Sequence, residues 1–124
     1  MSVVKRKRET SKMQFIATAQ ELHAYTVQKT VQFPKRYKFA TTVPLCQHAE
    51  TVCSEVIAAN SIRPGNQHEA QLRRDCFIRA NCSLMKMVQL IELADGIFGI
   101  EDKIITHWIE LIHSESKLIA ATMK

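Results

Sequence analysis

Apolar residues recur along this chain at helical spacing, in four segments divided by breaker residues. In the first segment Ala19, Leu22, Thr26, Lys29 and Phe33 mark one stripe, with no glycine or proline between them. That pattern predicts a helix from about Met13 or Ala17 to Gln32. It is ended by Phe33-Pro34, because the residue before proline avoids helical geometry and proline supplies no donor. The second segment repeats Leu45, Ala49, Val52, Val56 and Ala59 at four-three-four-three spacing. Its helix is expected to start near Thr41 or Thr42, either of which is a good cap, with Pro44 tolerated in the first turn. The run from Asn60 to Asn66 is dense in turn residues and stops it.

The third segment is the longest, about Gln67 to Ala94, with Leu72, Cys76, Ala80, Leu84, Met87, Ile91 and Ala94 on its stripe. Asp95-Gly96-Ile97-Phe98-Gly99 is expected to break it, glycine being suited to a left-handed cap. The fourth spans about Glu101 to Thr122, and Glu101 and Asp102 match the positive end of its dipole. Ile104, Trp108, Leu111, Glu115 and Leu118 share one face, while Ile105, Ile112 and Ile119 repeat beside it. Four amphipathic helices with short connections predict an all-α, antiparallel up-down-up-down four-helix bundle over residues 13–124. Residues 1–12 lack periodicity and read as a basic, flexible N-terminal arm.

Composition narrows the picture further. Three glycines and three prolines in 124 residues exclude a turn-rich β-sandwich. No apolar run approaches the ~18 residues of a membrane span. The basic start lacks a following apolar segment and a small-residue cleavage site, so the expectation is a cytoplasmic chain without a secretory leader. The net charge is +5, unevenly placed. Residues 1–38 hold nine basic and two acidic side chains, whereas residues 39–124 hold eight and ten. Clustered positive charge recruits polyanions through phosphate contacts, in a salt-dependent and sequence-blind way. The candidate nucleic-acid contacts are Lys5, Arg6, Lys7 and Arg8 in the arm, and Lys35, Arg36 and Lys38 after the first helix. Arg79 and Lys86, on the polar face of the third helix with His68, are the foremost candidate nucleic-acid contacts of the folded domain, and Asp75 is placed to pair with Arg79. No groove-reading helix-turn-helix or aromatic stacking platform is evident.

Arg73 breaks the pattern differently. At 100° per residue it falls within the apolar stripe of the third helix. A guanidinium there needs a carboxylate, with Glu50 or Glu55 in reach, or an interface. Arg73 and Arg74 are therefore candidate oligomer or partner contacts.

Catalytic and metal chemistry find little support. Cys46, Cys53, Cys76 and Cys82 form no C-x-x-C pair and are expected as small buried hydrophobes without disulfides. Glu110 and His113 form one Glu-x-x-His pair, where a di-iron bundle needs two. His68-Glu69 opens like a zinc-protease helix, but Leu72 stands at the second ligand position. Neither a P-loop nor a nucleophile elbow is present, so no catalytic residue, metal or cofactor is assigned.

Five short motifs occur together: Glu21-Leu-x-Ala-Tyr25, Phe33-Pro-Lys-Arg-Tyr37, Ala59-Asn-Ser-Ile62, His68-Glu-Ala-Gln-Leu-Arg-Arg74 and Arg79-Ala-Asn81. Their order and spacing over about residues 17–122 resemble the four-helix-bundle family that contains the accessory variability protein of diversity-generating retroelements. The same family includes proteins encoded in intervening sequences of bacterial 23S ribosomal RNA. The resemblance implies a basic bundle that assembles as a homopentamer and has no catalytic centre. It also implies binding to a reverse transcriptase and to RNA or DNA during mutagenic synthesis of complementary DNA. The alternative expectation is a structural or interaction bundle with no nucleic-acid role.

Overall fold

A computed structural model describes residues 13–123. Four α-helices make up the fold: α1 Gln14–Thr30, α2 Val43–Ser61, α3 Gln67–Phe98 and α4 Asp102–Met123. The chain is an all-α four-helix bundle. Each helix packs against its successor and α1 packs against α4, a contact pattern compatible with up-down-up-down order. The arm, with Lys5, Arg6, Lys7 and Arg8, lies outside the described residues.

The apolar stripes meet in one core. The whole α2 set of Leu45, Ala49, Val52, Val56 and Ala59 is buried, joined by Leu22, Phe77, Leu84, Met87, Ile91, Trp108, Ile112 and Ile119. Burying a side chain of this size stabilises the fold by ~1.5–3 kcal/mol, which is why periodicity located the helices well. The largest buried side chain, Trp108, also joins two helices: its Nε1 donates to Thr26 Oγ1 at 2.9 Å. That hydroxyl in turn donates to the Leu22 carbonyl at 2.8 Å, so the polar tip of the indole is satisfied.

Several expectations are corrected. Lys29 leaves the core stripe; it is half-buried with its Nζ 5.4 Å from the Tyr25 ring centre, and Thr30 is buried instead. Neither Thr41 nor Thr42 caps α2, because the chain is already helical there: a 3₁₀ turn Lys35–Tyr37 and a wide π turn Lys38–Thr42 lead straight into it. Thr41 instead donates back to the Tyr37 carbonyl at 2.8 Å.

Leu72 is exposed, since Phe77 enters the core and shifts the buried arc of α3 away from it. The helix also continues past Ala94 and Gly96 to Phe98. A glycine inside a helix costs only about 1 kcal/mol, and Phe98 recovers it by packing on Phe33 and Tyr37 at 4.8 and 5.7 Å. The stop falls at Gly99, at φ 78 and ψ 130, a conformation that a Cβ disfavours. At the other end of α3, Asn66 Oδ1 accepts from the Glu69 N–H, and the Glu69 carboxylate accepts from the Gly65 N–H. The four cysteines are free, but only Cys53 and Cys76 are buried; Cys46 is half-buried and Cys82 lies exposed on α3.

Candidate nucleic-acid interface

The connection from α1 to α2 carries the densest positive charge of the described residues. No acidic residue occurs between Glu21 and Glu50. Lys35, Arg36 and Lys38 are all exposed on the paired turns. The segment between them is anchored from inside the bundle. The Tyr37 ring lies nearly parallel to Phe98 at 17°, and Phe33 sits 6.2 Å from Trp108 as well as against Phe98. Arg36 lies 5.9 Å from the Tyr37 ring and Lys38 5.9 Å from the Phe39 ring. Aromatic faces thus sit beside the cations and help hold them over the surface.

The other two candidate contacts of the folded domain, Arg79 and Lys86, are placed along the seam between α2 and α3. Arg79 differs from expectation. Its Nε donates to Glu55 Oε2 at 3.0 Å rather than to Asp75, which accepts from Gln71 Nε2 at 2.7 Å. Glu55 therefore does not serve Arg73, and part of the Arg79 charge is neutralised within the bundle. Lys86 is exposed further along the seam. Near it, His48 Nδ1 lies 3.4 Å from Ser83 Oγ. Burial, and then the Lys86 charge, hold the His48 imidazole below its ordinary pKa. Glu50 and Glu55 border the open face of α2, so the seam is of mixed sign and the connection is not.

Arg73 finds no carboxylate among the described residues. Its guanidinium lies 4.9 Å over the Phe77 ring, half-buried, which satisfies the apolar setting by cation–π contact. With the exposed Arg74 it lines a cavity of about 240 Å³ between the start of α3 and the end of α4, with Pro64, Phe77 and Met123 also in its lining.

The structure also shows groups that sequence reasoning passed over. Glu115 is completely buried, and neither carboxyl oxygen has a hydrogen-bond partner among the described residues. Burial pushes its pKa up to about 8, so the carboxyl is mostly protonated at neutral pH. The signal was present as a glutamate within an apolar face. Burial likewise pushes the Cys53 thiol up to about 11, with Glu115 adding to the effect; its Sγ donates to the Ala19 carbonyl at 3.2 Å. Phe39 is 82% exposed and Val31 78% exposed, though an aromatic beside an amphipathic helix reads as core.

Glu110 and His113 are both exposed. Among the described residues no three His, Cys, Asp or Glu side chains gather as a metal site, and no helix is long and apolar enough to cross a membrane. The class that fold and surface define is a four-helix bundle with a basic interhelical connection. Comparison with family models, curated proteins and solved structures finds no match.

Proposed function

We propose that this chain is a non-catalytic accessory protein of a diversity-generating retroelement. In this reading it acts in the cytoplasm as a basic homo-oligomer, a pentamer by family resemblance. It binds the reverse transcriptase and the phosphates of RNA or DNA, and so supports mutagenic synthesis of complementary DNA. The five ordered motifs support the family, and the bundle agrees with the fold that the family implies. The observation that carries the nucleic-acid part is the acid-free connection with Lys35, Arg36 and Lys38 exposed on anchored turns. Such a surface contacts phosphates and reads no sequence.

The test is binding of the full chain to labelled RNA and DNA across a salt series, with co-purification of a reverse transcriptase encoded beside it. Replacing Lys35, Arg36 and Lys38 by alanine is expected to weaken binding equally for all sequences and to flatten the salt slope by up to ~3, about one per lost phosphate contact. An unchanged slope overturns the reading. The rival, a structural bundle of the ribosomal intervening-sequence type, draws on the Arg79–Glu55 pair and the acidic excess of residues 39–124. It predicts a monomer that heparin does not retain.

A further inference from the structure

Phe39 is the most exposed large apolar side chain among the described residues. Burying a phenylalanine is worth ~1.5–3 kcal/mol, and the fold forgoes that here. The neighbouring aromatics do the opposite: Phe33 and Tyr37 both pack on Phe98. The geometry of the turn separates them. Thr41 points inward and is buried, and Phe39, two residues before it in the π turn, lies about half a turn away and faces out. Two anchored rings thus fix a backbone that presents a third.

The surroundings of that ring define its ligand. Lys35, Arg36 and Lys38 lie within four residues of it, Lys38 Nζ at 5.9 Å from its centre, and no acid is near in sequence. The apolar area amounts to little more than one ring, the next most exposed apolar side chain being Val31, just past the end of α1. That is far below the ~800 Å² per partner of a standard protein interface. Its cation density suits a polyanion that also offers a flat apolar face. An unpaired nucleobase offers one; a duplex offers phosphates with its base faces stacked away.

We propose that the Lys35–Phe39 turn is a single-strand binding ledge, on which the Phe39 ring stacks against an unpaired base while Lys35, Arg36 and Lys38 hold the flanking phosphates. The inference rests on the nucleic-acid part of the proposed function and names the form of strand. Because the ledge is held by Phe33, Tyr37 and Phe98 before any ligand arrives, little ordering remains to oppose binding.

The experiment measures fluorescence anisotropy of a labelled single-stranded oligonucleotide, and of its duplex, with the full chain. Wild-type protein is expected to prefer the single strand. Phe39→Ala is expected to weaken single-strand binding by about 5- to 150-fold, the range for one lost stacking contact, with duplex affinity and salt slope unchanged. Phe39→Trp should keep the affinity, and its emission should be quenched on binding beyond the signal of Trp108. The ring is exposed, so both variants should keep the wild-type helical circular dichroism. If Phe39→Ala binds the single strand like wild type, the ledge is wrong and the proposed function stands. If wild type binds neither strand form at low salt, the nucleic-acid reading itself fails. A loss in Phe39→Ala confined to vesicles of anionic phospholipid would make the turn a membrane contact and overturn the inference.

Discussion

A buried carboxyl with no partner among the described residues lies in this core, and its proton couples folding to pH. Glu115 has a folded pKa of about 8 against an ordinary 4.5. Below 4.5 both states are protonated and burial of the acid is least costly. Between 4.5 and 8 the unfolded chain releases the proton that the folded chain keeps, so stability falls by about 1.4 kcal/mol per pH unit from this group. Above 8 the loss is complete and constant. Urea midpoints from pH 5 to 8 are expected to fall in wild type and to fall less in Glu115→Gln; parallel curves would refute the assignment. Glu115→Met should raise the midpoint at pH 8, since an apolar side chain of similar size removes the orphaned oxygens. His48 acts in the opposite sense. Its depressed pKa means that stability is lost as pH drops through the ordinary 6.5, which makes the Gln variant the proper reference. At the same scale, the cysteines should separate by access. A thiol reagent is expected to modify Cys82 first in the native protein, while Cys53 and Cys76 react only on unfolding. Protection of Cys82 in the isolated protein would mean that a partner copy covers that face of α3.

At the scale of elements, the end of α3 sets two glycines against each other. Gly96 lies inside the helix with open space where a Cβ would stand, and Gly99 stops the helix at positive φ. Gly96→Ala is expected to stabilise by roughly 0.5–1 kcal/mol, because alanine loses less backbone freedom. Gly99→Ala should destabilise by about 1–3 kcal/mol through backbone strain. Thermal unfolding of the pair checks both signs, and two shifts in the same direction would count against this description of the terminus. Asn66→Ala at the opposite end removes the cap that accepts from Glu69, with an expected loss of about 1 kcal/mol. The connection between α1 and α2 is a further element-scale feature: its turns hold the cations in place because three aromatic rings anchor them, so Tyr37→Ala should loosen the cationic surface without removing a charge.

For the whole molecule, the distribution of charge matters more than its total. Arg79 is tied to Glu55, and the acids of α2 border the same seam. Alanine at both Arg79 and Lys86 is therefore expected to cost less affinity for RNA than alanine at Lys35, Arg36 and Lys38, when measured at equal salt. The reverse order would move the interface to the α2–α3 seam. Light scattering of the isolated chain tests assembly directly, against the 14.2 kDa of one copy.

The amino-acid sequence by itself determined the number, order and approximate bounds of the helices, and which residues of α2 face inward. Apolar burial is a property of spacing, and spacing is written in the chain. It also located the cations of the connection, since charge needs no partner to be recognised. Tertiary structure decided what each polar group does. Whether Arg79 is free, whether Glu115 keeps its proton and whether Phe39 joins the core depend on which atoms another helix brings within a few ångströms. The same holds for the end of α3, where Phe33 and Tyr37 packing on Phe98 carried the helix past a local glycine. Periodicity is a one-helix quantity; desolvation, pairing and stacking are not, and the candidate site is made of those.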